Sequence, residues 1–136
     1  NTIAPPVVAG VIKVLEILSA STDRRDKLEK NTEFWRKGLI EAGLIIKAGD
    51  TPIVPVMLFN AKLAQDVSRD LYDEGIYAIG FFFPVVPQGA ARIRTQISAG
   101  HEIHHLEKAL EAFRKVGKKY DILGKSKQEI IERYGM

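Results

Sequence analysis

Between Phe81 and His101 the chain reads FFFPVVPQGAARIRTQISAGH, and no other run limits the fold as strongly. A proline-bracketed, glycine-containing loop, Pro84 to Gly89, leads into a strand-forming stretch with Arg92 and Arg94 at alternate positions. Side chains alternate faces along a strand, so both guanidinium groups are expected on one side of a sheet. The aromatic and β-branched neighbours would ordinarily bury such a strand, and arginine is almost never fully buried without a partner. At least one of the two is therefore expected to meet a fixed anion, and the planar fork suits a carboxylate held by two parallel hydrogen bonds. Arginines that are solvated, or paired with an acidic residue of their own chain, have the same spacing. Spacing alone does not say which of the two would be involved.

Helical and strand patterns alternate along the rest of the chain. Pro5 and Pro6 suit a first helical turn, after which Val7, Val8, Val11, Ile12, Leu15 and Leu18 form an apolar face broad enough to predict burial against something larger than this chain. Ser21 or Thr22 can cap a second helix over Asp23 to Ala42, with Leu28, Phe34, Trp35, Leu39 and Ile40 inward and Gly43 at its end. Leu44 to Lys47 predicts a short edge strand. Ile53 to Phe59 predicts another, placed at an edge or irregular at its start by Pro55. A helix over Ala61 to Glu74 closed by Gly75, strands over Ile76 to Phe83 and Ala91 to Ser98, a helix over His101 to Lys119 and an outer helix over Lys127 to Tyr134 complete the pattern. The fold class is α/β, a two-layer α+β-like sandwich whose small, mostly antiparallel sheet is covered by helices.

Charge and composition narrow the chemistry. The net charge of +3 comes from basic residues interleaved with acidic ones, as in DRRDKLEK, which describes solvated helix faces and not a nucleic-acid stripe. Cysteine is absent, which excludes disulfides and thiolate chemistry. No apolar run approaches the ~20 residues of a membrane span and no signal-peptide pattern opens the chain, so cytoplasmic residence is the expectation. His101, His104 and His105 recur at helical spacing, but histidines near a helix start commonly serve as caps, and no metal site is assigned. Asp50, Asp66, Asp70, Asp73 and Glu74 read as capping or solvated helix charges. Of Phe81, Phe82 and Phe83, alternate rings are expected in the core, with one ring free to line a pocket.

The segment PVMLFNAKLAQDVSRDLYDEGIYAIGFFFPVVPQGAARIRTQISAGH resembles the C-terminal domain of the α-oxoamine synthases, a family of pyridoxal-phosphate-dependent acyltransferases. NTIAPPVVAGVIKVLEIL upstream and LEKALEAFRKVGKKY downstream are similar to the same family, so the resemblance extends to about Leu123. The TQIS after Arg94 favours its glycine-acylating branch. The resemblance implies the small C-terminal domain of the type I aminotransferase fold, spanning 21–136, with residues 1–20 as the helix linking it to a large cofactor domain. It implies pyridoxal phosphate as cofactor, glycine and an acyl-CoA as substrates, and a homodimer. It matches Arg94 to the residue that binds the substrate α-carboxylate and gives Arg92 a supporting role. It matches Asn1 to a position beside the cofactor phosphate, reached across the dimer interface, and sets Pro84 to Gly89 at the acyl-CoA entrance. The lysine that bonds the cofactor, the acid facing its ring nitrogen and the histidine stacked on it belong to the large domain, so no catalytic residue is assigned within this chain.

Overall fold

The structure, a computed structural model, describes residues 2–135. Their elements run α1 (Pro5–Ala20), α2 (Asp23–Glu41), β1 (Ile53–Phe59), α3 (Ala61–Asp73), β2 (Ile79–Phe81), β3 (Ala91–Gln96), α4 (Ile103–Lys119) and α5 (Lys127–Tyr134). The three strands form one antiparallel sheet in the order β1-β3-β2. No single helix among the described residues is long and apolar enough to cross a membrane.

β3 takes the middle because its alternation matches a half-covered strand: Ala91, Ile93 and Thr95 are buried, while Arg92 is half-buried and Arg94 and Gln96 are exposed. On the covered side Val54, Val56 and Leu58 of β1 join Ile93 and meet Leu39, Leu63, Val67, Leu71, Leu110 and Phe113 from α2, α3 and α4. Trp35 anchors this layer. Its ring meets Phe113 edge-on at 5.5 Å, and its Nε1 donates to the Thr95 hydroxyl at 2.8 Å, which itself donates to the Val54 carbonyl at 2.6 Å. A buried indole and a buried hydroxyl thus satisfy one another. Gly80 faces the same layer, where a Cβ would stand 2.9 Å from the Ala64 carbonyl oxygen, so its bareness lets α3 lie directly on β2.

Several expectations need correction. The strand expected over Ile76 to Phe83 is confined to Ile79–Phe81: before it the Ala78 carbonyl accepts from the Ser68 hydroxyl of α3 at 2.6 Å, and after it the Phe82 carbonyl accepts from Val85 N–H in a turn at 2.9 Å. Leu44 to Lys47 makes one bridge, Ile46 to Val56, flanked by Lys47 N–H to Pro55 O (2.9 Å) and Met57 N–H to Ile45 O (2.7 Å). Ile40 points outward at 59% exposure while Leu39 is fully buried, since adjacent helical residues diverge by ~100°. The fourth helix starts at Ile103, after a turn in which His101 N–H donates to Ser98 O at 3.1 Å.

The α1 side chains are all exposed, including Val7, Val11, Ile12 and Leu15. The helix ends that were expected elsewhere hold. Gly43 and Gly75 close α2 and α3 with positive φ near 81°. At the start of α2 the Ser21 hydroxyl accepts from Asp23 N–H, and Thr22 occupies the cap position and hydrogen-bonds to Asp26. The β1–α3 junction is locked by Asn60, whose Oδ1 caps Leu63 N–H at 2.7 Å while its Nδ2 donates to the Tyr134 carbonyl of α5 at 2.8 Å.

Candidate functional site: the open face of the sheet

The side of the sheet away from the helices carries two arginines and a lysine that enter no ion pair among the described residues. Antiparallel register places directly opposed residues on the same face. Pro55, Arg94 and Ile79 therefore form one row across the three strands, and Met57, Arg92 and Phe81 form the next. The loop after β2 folds back over this face: Val85 N–H donates to Phe82 O at 2.9 Å, and Val86 is buried while Val85 stands exposed. The result is a groove of about 380 Å³ lined by Ile53, Pro55, Phe81, Val85, Val86, Lys47, Arg92 and Arg94.

Arg94 is oriented without being neutralised. Its guanidinium lies 5.7 Å from the Phe81 ring centroid, and its Nη2 makes one long hydrogen bond, 3.4 Å, to Gln96 Oε1. Among the described residues neither Arg92 nor Arg94 enters an ion pair, and no carboxylate lines the groove. The fixed anion expected for at least one of them is therefore not a carboxylate of the described residues, and helices cover only the opposite face of the strand. A guanidinium has five N–H donors in a fixed fork, so Arg94 retains most of its capacity for a planar anion in a groove otherwise lined by Lys47, Arg92 and apolar side chains.

The remaining candidates have structural employment. His101 and His105 turn their Nδ1 atoms to the backbone, accepting from Ser98 N–H at 3.2 Å and Glu102 N–H at 3.0 Å. No group of three metal-ligating side chains is present among the described residues. Asp66 pairs with Lys62 and Arg69, Asp70 with Lys119 and Glu74 with Lys115. The Lys62 and Lys119 ammonium groups, as hydrogen-bond donors, hold the Asp66 and Asp70 carboxyls below the usual range. Tyr120 is pushed up to about 12, first by burial and then by the Asp70 carboxylate beside it. Phe82 packs on the core, Phe81 lines the groove and Phe83 is exposed, so one ring of three reaches the site. Asn1 lies outside the described residues. Sequence reading passed over Gln96, two residues from Arg94 on the same face, and Lys47, which joins the groove only through cross-strand register.

The fold is a three-stranded antiparallel sheet with helices on one face and an arginine-lined groove on the other. Residues 1–113 match the family Aminotransferase class I and II, and the chain belongs to that family. It is 46% identical over 123 residues to the 2-amino-3-ketobutyrate coenzyme A ligase of Escherichia coli K12, covering 90% of this chain and 31% of that protein. It is 40% identical over 124 residues to the Thermus thermophilus 8-amino-7-oxononanoate synthase/2-amino-3-ketobutyrate coenzyme A ligase, again covering 90% and 31%. Among solved structures it is similar to an SPT with PLP (TM-score 0.85, 26% identity, 90% of this chain and 32% of that one). It is also similar to the 8-amino-7-oxononanoate synthase of Francisella tularensis (TM-score 0.71, 26% identity, 90% and 36%). The resemblance to the α-oxoamine synthases thus extends from sequence to fold. The chain spans 31% of the length of the curated relatives named here.

Proposed function

We propose that this chain is the C-terminal substrate-gripping part of a pyridoxal-phosphate-dependent C-acyltransferase that condenses glycine with acetyl-CoA to 2-amino-3-ketobutyrate. The observation that carries the reading is Arg94, oriented by Phe81 and Gln96 in a groove without a carboxylate of its own. In this role the Arg94 fork takes the α-carboxylate of the amino acid by paired, charge-assisted hydrogen bonds. Gripping that carboxylate fixes the orientation of the Cα bonds, a positioning contribution and not a chemical step. Val85, Val86 and Pro55 give the clasp apolar flanks.

When bound, pyridoxal phosphate supplies the electron sink for the carbanion at Cα. The groove does not fit it as a bed, since it offers no carboxylate to meet the ring nitrogen and no imidazole to stack on the ring, so in this reading the cofactor is held by residues outside the groove. In this reading residues 1–20 link to that part, residues 21–136 form the small domain, Asn1 approaches the cofactor phosphate, and the enzyme is a cytoplasmic homodimer.

The test is an assay of the full-length protein with glycine and acetyl-CoA against alanine and pimeloyl-CoA. Preferential turnover of the first pair supports the reading; preference for the second transfers the chain to 8-amino-7-oxononanoate synthesis. Arg94→Ala is expected to raise the glycine KM about ten- to a hundredfold, the equivalent of one charged hydrogen-bonded contact. Cofactor absorbance should be retained in that variant, and an unchanged glycine KM removes the assigned role.

A further inference from the structure

The row that holds Arg94 extends one strand further. Lys47 N–H donates to the Pro55 carbonyl at 2.9 Å, next to the Ile46–Val56 bridge, so Lys47 stands opposite Pro55 just as Pro55 stands opposite Arg94. The open face therefore reads Lys47, Pro55, Arg94, Ile79 in a line, with a proline between the two cations. Strands lie ~4.8 Å apart, which sets the two Cα atoms roughly 10 Å from each other. Proline's short ring does not fill that interval, and both side chains line the same groove.

The backbone of Lys47 is pinned while its charge is not. Besides the Pro55 bond, its carbonyl accepts from Arg36 Nη1 at 3.3 Å, and Arg36 also holds the Thr51 carbonyl at 2.9 Å. The side chain itself is exposed and enters no ion pair among the described residues. One carboxylate gripped by the Arg94 fork is too small to serve a second cation across the width of a proline. An anion that met Lys47 would sit on a longer molecule lying along the apolar strip of Pro55, Val85 and Val86. An ammonium is a compact point charge, better matched to phosphate oxygens than to a planar bidentate grip.

We infer that Lys47 contacts a phosphate of the acyl donor's nucleotide carrier, so that the two cations of one sheet row receive the two substrates separately. This rests on the acyltransferase reading above, in which Arg94 takes the amino acid and a coenzyme A thioester supplies the acyl group. Lys47 is then a binding residue for the carrier and takes no part in bond making.

The experiment uses the full-length enzyme and two acetyl donors: acetyl-CoA, and acetyl-N-acetylcysteamine, which keeps the thioester and lacks every phosphate. Lys47→Gln should raise the KM for acetyl-CoA about tenfold, with the penalty shrinking as salt is added. The same variant should match wild type on the phosphate-free thioester and keep the wild-type glycine KM. Lys47→Arg should recover most of the loss, which a merely structural role would not predict. Equal losses on both thioesters, or an unchanged KM for acetyl-CoA, overturn the inference. If wild type fails to acylate glycine, both readings fall. If wild type does so and Arg94→Ala raises the glycine KM, an indifferent Lys47→Gln condemns the lysine assignment alone.

Discussion

Residues one step apart on β3 live under opposite rules. Ile93 is fully buried against α2, α3 and α4, and Thr95 spends its hydroxyl inside the core on Trp35 and Val54. Arg92 and Arg94, on the other side of the same six residues, line a groove and enter no ion pair among the described residues, with Gln96 exposed beside Arg94. The covered side is the packed core, where the Trp35 N–H, the Thr95 hydroxyl and the Val54 carbonyl satisfy one another, which is what stability requires. The open side is unsaturated, with donors held in place and not used, which is what binding requires. A strand can thus carry stability and recognition at once because its pleat separates them by a single residue.

That contrast can be broken by substitution. Ile93→Ala should cost the most, about 2–5 kcal/mol by denaturant unfolding, as a fully buried branched residue replaced by a methyl group leaves a cavity. Thr95→Val should cost about 1–3 kcal/mol despite its near-identical shape, because the Trp35 N–H and the Val54 carbonyl both lose their partner. If Thr95→Val proves neutral, the covered side is less saturated than its geometry states. Arg94→Ala should shift stability by less than about 0.5 kcal/mol. A large loss of stability there would mean that the open face also holds the fold together.

A pH titration sharpens the same division at the helices. Tyr120 has a raised pKa, about 12, so its contribution is fully present below the ordinary tyrosine value near 10 and disappears as pH rises through about 12. Unfolding midpoints should therefore fall across that alkaline window, and Tyr120→Phe should flatten the fall. Asp66 and Asp70 have lowered values, so their contribution is present above the ordinary carboxylate range and is lost as pH falls through their folded-state values.

Much of this architecture was legible before any coordinates. β1 and α5 have the bounds that the apolar pattern implies, and Ser126 with Glu129 forms the capping box that starts α5. Arg92 and Arg94 were expected on one side of a strand, and they are. Less legible were features owed to distant partners. Asn31 is buried because its Nδ2 donates to the Ser98 and His101 carbonyls, 3.1 and 2.9 Å away, and no local pattern announces an asparagine in a core. β2 is short, flanked by the Ser68 hydroxyl on the Ala78 carbonyl and by the turn at Phe82, contacts no local pattern announces.

Covalent geometry repeats every two residues in a strand and every 3.6 in a helix, so the amino-acid order alone decided the kinds of element, their caps and the common side of the two arginines. Which side of the sheet the helices would cover was decided by packing across the whole chain, and with it whether those arginines would be neutralised or left available. The alignment of Lys47 with Arg94 was settled in the same way. It depends on a bridge between Ile46 and Val56 and on the pairing of Pro55 with Arg94, contacts whose register no single segment encodes.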